Sequence, residues 1–209
     1  DLQHSDAHLL CVRGDGNTFC SGGELNEVRQ YLEHADHGYQ MSQAMTVTLD
    51  ALQSLPLLSC ALIDGYAVGG GAEIAISCDI RIMRRDAWLH FVHRRLGVVP
   101  GWGGPRRLIY AIGRANALRL LRASERLSAE VCHSLSLIDH ITDLGWDEEV
   151  QKVFETEWGT ETLRALKEQL IAADSTIRTG GEALAFSTVW GAQRHQSALS
   201  RVFAVRESE

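Results

Sequence analysis

No CxxC pair, no apolar run of bilayer length and no phosphate-binding loop occurs in this chain of 209 residues. The five cysteines (Cys11, Cys20, Cys60, Cys78 and Cys132) are odd in number and lie mostly in apolar segments, so they read as reduced, buried thiols in a reducing compartment. The missing apolar run argues against a membrane-spanning helix, and the opening residues DLQHSD show no signal-peptide pattern. Neither GxxxxGK(S/T) nor GxGxxG surrounds the glycines, which removes the P-loop and dinucleotide-binding readings. Internal repeats and low-complexity segments are also lacking. A formal charge of −7 leaves no excess positive charge for general nucleic-acid binding.

What is present is an ordinary globular composition, 45% hydrophobic and 22% charged, in a length that suits one domain or one domain with an appendage. The charge is uneven. Residues 81–107 hold seven arginines against the single acid Asp86, a local +6 in a chain that is −13 elsewhere. Such a stretch suits a polyanionic small ligand, and it equally suits a solvated or subunit-facing arginine set.

The stretch that organises the chain is Leu57–Asp79, LLSCALIDGYAVGGGAEIAISCD. It predicts an apolar strand over Leu57–Ile63, a turn at Asp64–Gly65, the consecutive glycines Gly69, Gly70 and Gly71, and a short apolar helix from near Ala72. Glycines at a strand-to-helix turn allow positive φ and close backbone approach, and the first amides of the helix lack intrahelical acceptors. Those N–H groups, at the positive end of the helix dipole, stabilise developing negative charge. Taken alone, the triplet reads first as a tight turn packed under a helix. A second glycine element, FCSGGEL at Phe19–Leu25, follows an expected strand at His8–Val12 and a Gly14/Gly16 turn.

In order, spacing and residue type, FCSGGEL, DGYAVGGGAE and LGVVPGWGG together resemble the crotonase (enoyl-CoA hydratase/isomerase) superfamily over nearly the whole chain. The resemblance implies an acyl-CoA enzyme in which two backbone amides, carried over to Gly23 and Gly70, hydrogen-bond the thioester oxygen as it becomes an enolate. Ser21, Gly22, Gly69, Gly71, Pro100, Trp102 and Gly103 are carried over as substrate-binding positions. The implied fold is α/β: a crotonase-like ββα spiral core over residues 1–142, then a C-terminal helical region, 143–209, that builds trimers. The expected assembly is a homotrimer or a dimer of trimers. The resemblance also implies a further strand, helix and strand ahead of Asp1, which this sequence does not contain. No cofactor is expected, because coenzyme A is part of the substrate; the expected partner is an acyl-CoA thioester, with no nucleic acid, membrane or metal. The expected compartment is the cytosol, with the mitochondrion left open.

Two side chains bear on the reaction. In hydratases of the superfamily a glutamate at the position of Glu73 works with a second glutamate four residues before the glycine matching Gly97; here that second position is His93. Hydration needs both groups, so the replacement argues against it. FVHRRLGVVPGWGG, with TVWG at Thr188–Gly191, resembles instead the ethylmalonyl-CoA decarboxylase branch. That implies decarboxylation of ethylmalonyl-CoA and, more slowly, of methylmalonyl-CoA. Loss of CO2 leaves an enolate that the same amides can hold, and the site must align the breaking bond with the thioester π-system.

His93 is the candidate to hydrogen-bond the substrate carboxylate and, itself or through water, to return the proton, since imidazole changes charge near neutral pH. The alternative is a histidine satisfied by backbone groups at a strand end. An ionised Glu73 would repel the substrate carboxylate, so it is protonated, or engaged by a neighbour such as an arginine, or orients water. Trp102 reads as a pocket wall or as core packing. A hydratase or isomerase using Glu73 alone, and a non-catalytic assembly member, are the other function classes.

Elsewhere the pattern predicts a core helix over Tyr39–Leu55, with Met41, Met45, Leu49, Leu52 and Leu55 at helical spacing and Pro56 ending it. His34 and His37 form an HxxH pair without a third ligand. Strands are expected at Asp79–Met83, Trp88–Val92 and Leu137–Ile141. Pro105 should open a helix, Ser128 should cap one, and helices are expected at Trp158–Leu170 and Glu182–Trp190 around a Gly180–Gly181 break.

Overall fold

A six-residue apolar strand needs cover on both faces, and Leu58–Ile63 (β2) is buried at every position. The computed structural model describes residues 7–24, 35–154 and 160–174. In it β2 lies between β1 (Leu9–Arg13) and β4 (Ile80–Arg84), with β7 (His140–Thr142) on the far side of β4. β4 runs parallel to both neighbours, pairing Cys60 with Ile80 and Ile82 with His140. A second sheet sets β5 (Trp88–His90) between β3 (Tyr66–Val68), parallel to it, and β6 (Leu127–Ser128), antiparallel.

The helices are α1 (Ala35–Gln53), α2 (Gly70–Ala75), α3 (Gly104–Ala123) and α4 (Ala129–Ser134), and later in the sequence α5 (Trp146–Phe154) and α6 (Thr160–Asp174). Parallel pairing requires crossovers, which is why helices alternate with strands. Ile63, Ala72, Met83, Leu89, Phe91 and Leu108 meet in one core beneath the start of α2. Each large side chain removed from water there contributes about 1.5–3 kcal/mol to the stability of the fold.

The chain divides into two units. The larger, Leu10–Ser54 with Ser59–Trp146, carries the core and the glycine turns at residues 22–23, 69–71 and 101–104; the smaller takes Asp1–Leu9, Leu55–Leu58 and Asp147–Glu209. In the smaller unit Glu149, Ala165 and Lys167 are buried, and Lys152 approaches Glu149 at 3.9 Å. No helix among the described residues is long and apolar enough to cross a membrane.

Several expectations need correction. The helix after the glycines begins at Gly70 rather than near Ala72, because Gly69 turns the chain at φ 55° immediately before it. Tyr66–Val68 forms a strand, β3, where three residues are too few to show a period. Trp88–Val92 stops as a strand at His90, and Val92–Leu96 forms a 3₁₀ helix that carries His93. The last strand is His140–Thr142; Leu137 and Ile138 ahead of it are buried in the core, and Ser136 adopts a positive φ of 59°. α1 is not simply a core helix: Leu49 is buried, but Met41 is 46% exposed. Ser128 caps α4 as expected, accepting the Val131 amide at 3.4 Å. Leu25, His34, the Gly180–Gly181 break, Glu182–Trp190 and the TVWG segment lie outside the described residues.

Candidate active site

The two glycine turns are held side by side by backbone hydrogen bonds. The Val68 amide donates to Cys20 O at 2.9 Å, the Cys20 amide to Tyr66 O at 3.2 Å, and the Phe19 amide to Asp64 O at 2.9 Å. This pairing sets Gly22, at φ 95°, against the start of α2: a Cβ on Gly22 would stand 2.8 Å from Val68 O and 3.3 Å from the Gly70 nitrogen. Gly71 faces the Cys20 backbone so closely that it too admits no side chain. The Gly69 amide donates to His90 O at 2.9 Å. Gly70 is the first residue of α2, so its N–H lacks an intrahelical acceptor, and among the described residues neither it nor the exposed Gly23 N–H has a partner.

One turn further along α2 stands Glu73, 1% exposed. Its Oε1 accepts the Trp102 and Gly104 amides, each at 2.9 Å, and its Oε2 lies 3.1 Å from His93 Nε2. A buried carboxylate needs such company, because an unpartnered charge is costly out of water. The acceptor surface of Glu73 is therefore largely taken up by the protein. His93 is 8% exposed, and its Nδ1 is buried with no hydrogen-bond partner among the described residues.

The Gly101–Gly104 turn that supplies those amides is built against α1. Ser42 Oγ donates to Gly101 O at 2.5 Å and Thr46 Oγ1 to the same oxygen at 3.4 Å. Arg107, 4% exposed, donates from Nε to Gln53 Oε1 at 2.9 Å, from one terminal nitrogen to Trp102 O at 2.5 Å, and from the other to Asp50 Oδ1 at 2.6 Å. Burial pulls this guanidinium below the ordinary arginine range, and the Asp50 carboxylate opposes that shift. Gly103 caps α3 at φ 84°, where a Cβ would meet the guanidinium. The half-buried Trp102 ring lies where a side chain on Gly70 would stand.

Residues 4–184 match the enoyl-CoA hydratase/isomerase family. The chain belongs to that family. It is 38% identical over 212 residues to a protein named ethylmalonyl-CoA decarboxylase from Xenopus laevis, covering 96% of this chain and 70% of that one. A Gallus gallus protein of the same name is 37% identical, with 94% and 68% covered. Among solved structures, an enoyl-CoA hydratase from Thermoplasma volcanium GSS1 superimposes with a TM-score of 0.81 at 25% identity, over 95% of this chain and 81% of that one. The α/β arrangement described above is thus the crotonase-like fold.

In this enoyl-CoA hydratase/isomerase family member the expected site residues are brought together unevenly. Gly22, Gly69, Gly70, Gly71, Glu73, His93, Trp102 and Gly103 form one contiguous cluster through the contacts given above. Ser21 is exposed and Pro100 half-buried, and among the described residues no hydrogen bond ties either to that cluster. The strand-end placement of His93 does not hold. Glu73 is engaged by a histidine and two amides rather than by an arginine.

The arginine-rich stretch of this family member is spread over several structural pairings instead of one patch. Arg81 bonds Leu137 O and Asp139, Arg84 bonds Leu144 O, and Arg85 pairs with Asp143 and Glu130. Arg94 and Arg95 donate to Arg122 O and Ser124 O, and Arg106 pairs with Asp50. His90 packs structurally: its Nε2 bonds Ser124 O at 3.0 Å, and burial lowers its pKa. Among the described residues no cluster of three or more potential metal ligands occurs.

Sequence reasoning missed Arg107 and the polar face of α1. Ser42, Thr46, Asp50 and Gln53 recur at helical spacing, a stripe legible beside the apolar one. Its meaning needed the partner loop.

Proposed function

We propose that this chain is an acyl-CoA decarboxylase acting on ethylmalonyl-CoA and, more slowly, methylmalonyl-CoA. The observation that carries the reading is the division of labour between Glu73 and His93. A carboxylate accepting two amide protons at Oε1 is best served as an anion, and an anion requires the proton on His93 Nε2. Glu73 then has little capacity left to activate water, as hydration demands. His93 is left with Nδ1 for an external group.

With a second proton on Nδ1, the ring bridges Glu73 on one side and a substrate carboxylate on the other, offsetting the repulsion between two anions. The Gly23 and Gly70 amides hold the thioester oxygen. The bond from the α-carbon to the carboxylate breaks, its electron pair passes into the thioester as an enolate, and CO2 departs. The Nδ1 proton then goes to the α-carbon, giving butyryl-CoA from ethylmalonyl-CoA. The names of the Xenopus laevis and Gallus gallus relatives support this choice. A homotrimer or dimer of trimers binding acyl-CoA, without cofactor or metal and located in the cytosol, belongs to the same proposal.

The test is a product assay on the full protein. CO2 release and butyryl-CoA formation from ethylmalonyl-CoA, with no hydration of crotonyl-CoA, are expected. Hydration of crotonyl-CoA without CO2 release would replace the proposal by a hydratase.

A further inference from the structure

We infer that Arg107 is a positioning residue: its buried guanidinium, with Asp50 and Gln53, forms a clamp that holds the Trp102 ring against Gly70 and the Trp102 amide on Glu73. The inference rests on the decarboxylase reading for its kinetic arm, and on geometry alone for the rest.

The argument begins with the turn itself. Gly101, Gly103 and Gly104 give the segment around Trp102 little intrinsic preference, and glycine-rich backbone loses much entropy when ordered. Something must hold it. Ser42 and Thr46 fix only Gly101 O, ahead of Trp102. Past Trp102, the one side chain that takes its carbonyl among the described residues is Arg107. That guanidinium spends Nε on Gln53 and a terminal nitrogen on Asp50, both on α1, so the turn is tied across the fold.

The same residue bears on chemistry at two places. The Trp102 amide donates to Glu73 Oε1, whose carboxylate holds His93 through Oε2. The Trp102 ring meets Gly70, whose amide opens α2. A planar fork with separate donors can serve three acceptors on fixed lines; a lysine ammonium cannot reproduce that geometry. An arginine used only for stability would have no reason to converge on a residue whose ring meets Gly70 and whose amide binds Glu73.

The experiment uses the full protein carrying Arg107→Lys, Asp50→Asn, Trp102→Phe, and Arg107→Lys combined with Trp102→Phe. Arg107→Lys is expected to lower kcat for CO2 release about 10- to 100-fold while KM changes by less than about threefold. In the double variant the losses should fall short of multiplying, because the part of the Arg107 effect that acts through the ring is already gone. Fully multiplicative losses, or a KM effect alone, would overturn the inference. A second readout needs no reaction: the part of the tryptophan emission removed by Trp102→Phe should become at least about twofold more quenchable by acrylamide in Arg107→Lys and Asp50→Asn. Unchanged quenching would sink the clamp. Should the parent protein release no CO2, the function reading fails while quenching still decides the clamp. Should Arg107→Lys not fold, Asp50→Asn, altered at a side chain 41% exposed, carries both measurements.

Discussion

A side chain on Gly70 and the indole ring of Trp102 would occupy the same space: a Cβ built on Gly70 falls under 3.0 Å from three ring atoms. Gly70 is therefore required by a neighbour thirty-two positions away rather than by its own backbone angles.

Gly70→Ala keeps the N–H but must displace the ring. Activity should fall at least about tenfold, the scale of a small misplacement at a reacting centre. Adding Trp102→Ala should recover part of the loss by removing the clash. A double variant no better than Gly70→Ala would show that the ring is not the obstacle. Steady-state kinetics with a thermal melt of each variant make the comparison.

His93→Gln retains a group able to hydrogen-bond Glu73 but cannot deliver a proton. CO2 release should drop by about 10²–10⁴, the usual range for losing a general acid, while coenzyme A binding measured by calorimetry stays close to the parent value. Undiminished turnover would remove His93 from the mechanism.

Glu73→Ala strands the Trp102 and Gly104 amides together with the His93 ring. Each buried polar group left without a partner costs about 1–3 kcal/mol, so the variant should lose at least about 2 kcal/mol in a urea titration. Glu73→Gln, which still offers an acceptor to both amides, should lose clearly less. Equal losses in the two variants would contradict the network described.

His90 yields a pH prediction. Burial lowers its pKa from the ordinary 6.5, so between that value and its folded-state pKa the unfolded chain binds the proton more readily than the native one. Its contribution to stability is complete above the ordinary value and is lost as pH falls below it. In His90→Gln the stability-against-pH curve should lose up to one proton's worth of slope on that acid side. Superimposable curves would mean that His90 charges equally in both states.

Much of this protein is readable without coordinates, because the signals are local. The apolar run bounded by Asp64–Gly65 forms the strand its length and β-branched end suggest, and Ser128 caps the helix that follows it. The three glycines mark a tight strand-to-helix turn, and the match of two such turns indicates the family. The roles of the polar side chains are not local. Glu73 meets His93 and Trp102 at separations of 20 and 29 residues, and Arg107 meets Asp50 at 57. No periodicity encodes a contact across such intervals. The sequence by itself determined the apolar strand, the glycine turn after it and the capped helix at Ser128; only the tertiary structure decided the short strand β3, the 3₁₀ turn that carries His93, and which side chains and amides surround Glu73. The reason is physical: hydrogen-bond partners are chosen by distance and direction in the packed state, once burial has made an unpartnered charge too costly to keep.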